Sequence, residues 1–183
     1  KMGNKLLFIF NPNSGKGKIK NSLYEIVDCF TYAGYDVTVY PTRHANDCER
    51  KIQSCADEYD LVVISGGDGT LNEAVNGMLR LDREARIPIG YIPSGTMNDF
   101  ASTNNISPSP LTAVNDIING NFLPYDIGSF NGKPFIYVAA FGAFTDVSYA
   151  TPQINKNIWG SAAYYFEGIK SLPKIKGVDT TIT

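Results

Sequence analysis

Ser65-Gly66-Gly67-Asp68-Gly69-Thr70-Leu71-Asn72-Glu73 decides the fold class of this chain. It directly follows the apolar run Leu61-Val62-Val63-Ile64 and opens a segment with apolar residues at Leu71, Ala74, Val75, Met78 and Leu79. Apolar positions at i, i+3, i+4, i+7 and i+8 lie on one face of a helix. Gly66, Gly67, Asp68 and Gly69 therefore sit in a strand-to-helix turn, where backbone N–H groups and the helix dipole favour a phosphate. An anion-binding turn that carries its own carboxylate needs a cation between the two. Phosphate plus Mg²⁺ is the chemistry such a turn suits.

The same grammar runs outward from this turn. Upstream, 5–11 reads as a buried strand (Leu6, Leu7, Phe8, Ile9, Phe10), followed by the turn Pro12-Asn13-Ser14-Gly15-Lys16-Gly17. A helix with Leu23, Ile26, Val27 and Phe30 on one face closes near Gly34. A second strand over 37–40 and a helix over 46–57 come next, Asn46 and Glu49 offering a capping-box-like start. Downstream, the helix from Thr70 and a strand over 89–92 continue the alternation, which implies a parallel sheet covered on both faces. Ser94-Gly95-Thr96-Met97-Asn98-Asp99-Phe100 follows that strand, so three phosphate-suited turns fall on one edge of the sheet, where open α/β sheets place their ligands. After about Pro124 the pattern changes: 125–130, Asn131-Gly132 and 134–140 read as a hairpin with a type I′ turn. A helical stretch over 159–169 and a strand over 174–183 extend this β-rich part, giving two expected domains, 1–127 and 128–183, the second cut short.

Composition narrows the function classes. The 183 residues are 43% hydrophobic and 19% charged with net charge −2, as expected of a soluble globular chain and without the basic stripe that nucleic-acid binding needs. The longest apolar run, 135–141, is about seven residues against the roughly 20 a membrane-spanning helix requires. Cys29, Cys48 and Cys55 are odd in number and lack CxxC spacing, which favours reduced thiols in a cytosolic protein. Cys48, Ile52 and Cys55 share the apolar side of their helix, which suggests buried packing. No signal peptide is visible, and Lys1 reads as a remnant ahead of Met2.

The individual residues carry the following chemistry. Gly66, Gly67 and Gly69 permit close backbone approach to a phosphate, and Asp68 suits Mg²⁺ or, alternatively, a local turn bond. Thr70 and Glu73 have the spacing of a capping box, and Asn72 sits in the first turn beside them. Asn11, Ser14 and Gly15 bring hydroxyl, amide and backbone donors to the first turn. Neither a Walker A spacing nor G-x-G-x-x-G is present, and Lys16, Lys18 and Lys20 are either a solvated cluster or a phosphate attractor. His44, the lone histidine, reads as a surface loop residue, and Asp99 as either a ligand or the cap of a short helix. Trp159, Tyr164, Tyr165 and Phe166 form an aromatic group that suits either a core or a lipid-facing surface.

Asn11-Pro12-Asn13-Ser14-Gly15, Gly66-Gly67-Asp68-Gly69-Thr70-Leu71-Asn72-Glu73, Pro93-Ser94-Gly95-Thr96-Met97-Asn98-Asp99 and Tyr125-Asp126-Ile127-Gly128 together resemble the diacylglycerol kinase catalytic family, in its bacterial soluble lipid-kinase branch. The resemblance implies a three-layer α/β nucleotide-binding domain of the NAD kinase/phosphofructokinase type, followed by the start of a β-sandwich. It implies ATP and Mg²⁺ as cofactors and transfer of the γ-phosphoryl group to a lipid hydroxyl, diacylglycerol giving phosphatidic acid. Besides the first two motif turns it names Thr96 and Asn98 of the third and, outside them, Thr42 as nucleotide-side residues, and a polar network of Asp68, Asp99 and Asp126 around the metal; a loop-capping hydroxyl at Thr42 and a turn acid at Asp126 are the alternatives. It places the general base and the structural metal ligands beyond Thr183, so this chain is expected to hold the nucleotide half of the site. A cytoplasmic protein that meets membrane lipid peripherally follows, and a homodimer is compatible with it. NAD kinase shares the Gly-Gly-Asp-Gly-Thr element but not the Pro-x-Gly-Thr-x-Asn-Asp element, and a non-catalytic nucleotide-binding module is the remaining alternative.

Overall fold

The computed structural model describes residues 4–138. The chain divides into two compact units, Lys1–Tyr137 and Val138–Thr183, and everything described belongs to the first apart from Val138. The expected helix over 159–169, the strand over 174–183 and the aromatic group at Trp159 and 164–166 lie outside the described residues.

Alternation between two apolar faces builds the sheet. In strand β1 (Lys5–Phe10), Leu6, Phe8 and Phe10 enter one core while Leu7 and Ile9 enter the other. Strand β3 (Leu61–Gly66) divides the same way, with Leu61 and Val63 to the first core and Val62 and Ile64 to the second. Such continuous burial belongs to a parallel strand covered on both sides, because successive side chains point to opposite faces. With β2 (Asp36–Pro41) and β4 (Ile89–Pro93), the order is β2-β1-β3-β4, all pairs parallel. The expected three-layer α/β architecture is what the structure shows.

The helices fill the two outer layers. Helix α1 (Leu23–Tyr32) contributes Ile26 and Phe30 to one core and is followed by Gly34 at φ 92°, the left-handed stop expected from sequence. Helices α2 (Asp47–Cys55) and α3 (Asp68–Leu79) cover the opposite face with Cys48, Ile52, Leu71, Ala74 and Met78. The short α4 (Asp99–Thr103) adds Phe100 and Ala101 to that face. Residues 104–124 had no expected element, yet α5 (Pro110–Asn119) packs Ala113 and Val114 beside α1. Its overlooked signal is Ser109-Pro110, a polar residue ahead of a proline at the first helical position.

Both expected capping boxes are corrected. Helix α2 begins at Asp47, with Asn46 in the left-handed region (φ 62°) and making no side-chain cap bond. Helix α3 begins at Asp68, two residues before Thr70, because Gly67 is extended and its carbonyl already accepts the N–H of Leu71 at 3.1 Å. Thr70 and Glu73 therefore lie inside the helix, where neither can act as its N-cap. The expected hairpin is present but shorter than 125–130 and 134–140: β5 (Gly128–Phe130) pairs antiparallel with β6 (Lys133–Phe135), within the first compact unit, and 139–140 lie outside the described residues. Asn131 (φ 49°) and Gly132 (φ 73°) both adopt the positive φ of a type I′ turn.

Candidate functional site

The sheet order creates a switch point. From β1 the chain passes through α1 on one face to the edge strand β2, whereas from β3 it passes through α3 on the other face to β4. The turns leaving β1 and β3 thus diverge, opening a crevice at the carboxyl ends of the strands. The turn after β4 touches both of them.

Backbone contact holds the three turns together. Gly15 (φ 50°) lies against the Ser94 carbonyl, so closely that a Cβ there would collide with it. A Cβ on Gly95 would stand 2.5 Å from the Cα of Gly67, and one on Gly67 would stand 3.8 Å from the Ser14 hydroxyl. Further bonds brace the edge: Asn11 N–H to the Ser65 carbonyl (2.9 Å), Ser94 N–H to the Gly66 carbonyl (2.8 Å), and Ser65 hydroxyl to Ser94 hydroxyl (3.0 Å). In the first turn Asn13 N–H donates to Asn11 Oδ1 at 2.9 Å, while Gly15, Lys16 and Gly17 are successively left-handed. Lys16 is the one non-glycine of that run, a conformation that costs an L-residue roughly 1–2 kcal/mol. In the third turn Asn98 (φ 56°) accepts from Gly95 N–H at 2.8 Å and donates to the Gly95 carbonyl at 3.1 Å, closing the loop with its own amide.

The two carboxylates of the opening stretch each reach a neighbouring helix. Asp68 accepts the N–H of Asp99 at Oδ2 and of Phe100 at Oδ1, both at 3.1 Å, and so caps α4 from across the crevice. Glu73 Oε1 accepts Asn46 N–H at 2.9 Å and the carboxylate is also bonded to the Cys48 backbone N–H, capping α2. Burial pushes the Glu73 carboxyl up from its ordinary value, against those two bonds. Asp99 is exposed, and its carboxyl is raised by partial burial first and by the nearby Asp68 charge second.

The remaining residues named from sequence divide by place. Ser14 is buried near Gly67, Gly15 lies against the Ser94 carbonyl, and Thr96 and Asn13 are exposed on the same turns. The Thr70 side chain packs on Gly66, where a Cβ would stand 2.5 Å from its Oγ1. Pro12 and Asn72 are half-buried, and the Asn72 carbonyl accepts from the Asn76 amide at 2.8 Å. Leu71 does not belong with the ligand-facing residues, because its side chain faces the sheet and is almost fully buried in the core. Thr42 is buried after β2, with its N–H (2.9 Å) and hydroxyl (3.4 Å) both directed to the Phe10 carbonyl. Asp126 is exposed on the segment before β5, and Lys16, Lys18, Lys20 and His44 are exposed as well.

Gly69 stands apart: its φ is not positive, it is exposed, and a Cβ there would meet nothing within 4 Å. The fold has no use for its missing side chain. Among the described residues no group of three His, Cys, Asp or Glu side chains could hold a metal ion by itself. What the edge provides is the pair Asp68 and Asp99. Sequence reasoning missed Asp47, whose carboxylate locks the loop after β2 by accepting Arg43 N–H (2.7 Å), His44 N–H (3.0 Å) and the Arg50 guanidinium (2.6 Å). It also missed Tyr91, whose hydroxyl donates to the Gly66 carbonyl at 3.1 Å from within the core. The spacing of Arg43, Asp47 and Arg50 was the signal that could have found the first. The second had none, since a tyrosine inside an apolar strand reads as core.

Residues 5–130 match the family described as diacylglycerol kinase catalytic domain. A diacylglycerol kinase of Staphylococcus epidermidis is 41% identical over 178 residues, 95% of this chain and 55% of the relative. One of Bacillus subtilis is 39% identical over 176 residues, covering 95% and 57%. A solved structure titled as a diacylglycerol kinase from Bacillus anthracis superposes with TM-score 0.66 at 33% identity, over 72% of this chain and 49% of that one. The chain spans little more than half the length of these curated relatives. A sheet edge where Gly15, Gly67 and Gly95 bring three turns into contact, with Asp68 next to Gly67, is thus carried by a chain that belongs to the diacylglycerol kinase catalytic domain family.

Proposed function

We propose that this domain binds Mg-ATP across the β1/β3 switch point and presents its γ-phosphate to a lipid hydroxyl, with diacylglycerol as acceptor and phosphatidic acid as product. One observation carries the reading: Gly69 leaves open space at the start of α3, beside a carboxylate, where nothing in the fold requires a glycine. A bound phosphate would fill that space and use the N-terminal N–H groups of a twelve-residue helix. The donor set also fits the metal. Mg²⁺ takes one or two carboxylates and completes its shell with water and phosphate oxygens, so Asp68 with Asp99 beside it suffices without a closed cage. When bound, Mg²⁺ neutralises charge on the phosphate oxygens.

The chain's own residues then have distinct tasks. Asn11, Ser14 and Gly15 offer donors to the phosphates from the β1 turn, and Thr96 does so from the β4 turn. Asp68 holds the metal side with an orientation set by α4, and Asn98 keeps the β4 turn closed. Glu73 and Thr42 act behind this line, fixing the loop after β2. None of the described residues is assigned removal of the acceptor's proton. The protein works in the cytoplasm and meets its lipid at a membrane surface; no described helix is long and apolar enough to cross one. The relatives reported above are all named diacylglycerol kinase, which does not favour NAD as acceptor.

Calorimetry of Mg-ATP binding to the parent and to Asp68→Asn tests the proposal. We expect a loss of at least about tenfold in affinity, roughly 1.4 kcal/mol, with the fold retained. Equal affinity would reduce Asp68 to the cap of α4, and phosphate transfer to NAD but not to diacylglycerol micelles would overturn the lipid assignment.

A further inference from the structure

Asp68 has two backbone partners, and both belong to α4. That helix is only five residues long, far below the length at which a helix stands alone in water. Its position must come from tertiary packing, to which Phe100 and Ala101 contribute buried side chains. Phe100 is almost fully buried, edge-to-face against Tyr91 (centroids 6.1 Å, planes at 65°) and against Tyr125 (5.2 Å, 65°). Tyr91 is fixed in turn by its bond to the Gly66 carbonyl, two residues before Asp68. At the other end of α4, the Thr103 hydroxyl bonds the Tyr137 hydroxyl at 3.2 Å.

Resting on the reading of Asp68 as the metal-side carboxylate, we propose that Phe100 is its positioning residue. The Phe100 ring, clamped between Tyr91 and Tyr125, holds its own N–H and that of Asp99 where they orient both oxygens of the Asp68 carboxylate. A free aspartate rotates broadly about χ2, whereas one bonded at both oxygens has a single orientation. Each carboxylate oxygen can accept more than one bond, so the two N–H groups orient Asp68 and leave lone pairs for a cation. The clamp also links the crevice to the segment before β5: whatever displaces Tyr125 releases the ring that sets the Asp68 geometry. Tyr125 is half-exposed, so this outer ring is removable without opening the core.

The experiment is calorimetric titration of ATP into the intact protein, once with Mg²⁺ and once with chelator. The variants are Phe100→Leu, Tyr125→Leu, Tyr125→Phe and Asp68→Asn. Outer-shell partners of metal ligands typically contribute 10–100-fold to metal affinity, so Phe100→Leu and Tyr125→Leu should each cut the Mg²⁺-dependent gain in affinity about tenfold. Their metal-free affinity should stay at the parent value, and Tyr125→Phe, which keeps the ring, should retain the full gain. Equal losses with and without Mg²⁺ would make Phe100 ordinary core and overturn the inference. Retention of the parent's gain by Tyr125→Leu would also overturn it, provided Asp68→Asn loses that gain. Retention of the gain by Asp68→Asn would instead sink the metal reading on which the inference rests.

Discussion

Gly69→Ala separates what the fold needs from what a ligand needs. The residue is the second of α3, exposed, with unremarkable φ and nothing within 4 Å of the point where an alanine methyl would stand. Alanine in place of an exposed helical glycine is worth about 0.5–1 kcal/mol, chiefly by removing freedom from the unfolded chain. For a chain of this size 1 kcal/mol moves the melting temperature by roughly 2–4 °C, so the variant should melt about 1–4 °C higher without ligand. The same methyl would occupy the space assigned to phosphate, and Mg-ATP affinity should fall by about tenfold or more, at least 1.4 kcal/mol. Gly66 and Gly95 should behave oppositely. A Cβ on Gly66 would stand 2.5 Å from the Thr70 Cβ, and one on Gly95 would stand 2.5 Å from the Gly67 Cα. Overpacking of that kind costs about 1–3 kcal/mol, so both alanine variants should melt lower before any ligand is added. Thermal melts and calorimetry on the three variants decide the matter. A lower melting point for Gly69→Ala would show that the fold does require the glycine. A higher one with undiminished Mg-ATP affinity would show that the space faces only solvent.

Two further outcomes follow from charge and burial. The Arg43 N–H first, then the Arg50 side chain and the His44 N–H, hold the Asp47 carboxyl down at about 2, below the 3.8 of an unperturbed aspartate. Its stabilisation is therefore present above pH 3.8 and lost as pH falls toward 2, so urea midpoints between those values should fall less steeply in Asp47→Asn; identical slopes would refute the lock on the loop after β2. Cys48 is fully buried and its thiol is pushed up by burial, whereas Cys29 is partly accessible. A thiol reagent at mild alkaline pH should label Cys29 promptly and Cys48 only as the protein opens, and comparable rates would contradict the packing of α2 on the sheet.

Much of the fold was legible because its signals are local. The apolar runs at 6–10 and 61–64 are strands buried on both faces, and period-2 alternation sorts their side chains without knowledge of their neighbours. Asn131-Gly132 announces a type I′ turn, since both positions need positive φ. Gly34 ends α1 for the same steric reason. The capping boxes (Asn46 with Glu49, Thr70 with Glu73) failed because such a spacing is a statement about one helix. Here Glu73 turns away from α3 and caps α2, and Asp47 locks its own loop. Leu71 was drawn into the candidate site by adjacency in the motif, although its own helical phase points it at the sheet.

By itself the sequence determined the alternation of strands and helices, the three glycine turns at strand ends, and the presence of a carboxylate in one of them. Each follows from side-chain period and backbone sterics within a few residues. The tertiary structure decided the strand order β2-β1-β3-β4, and hence which turns flank the crevice. It also decided that Gly15, Gly67 and Gly95 are needed by one another while Gly69 is not. Above all it decided the partners of Asp68 and Glu73, which lie at the starts of other helices, 31 and 32 residues away for Asp68 and 27 for the Asn46 N–H that Glu73 accepts. A carboxylate bonds whichever N–H the packed helices bring to it, and no spacing along the chain encodes that choice.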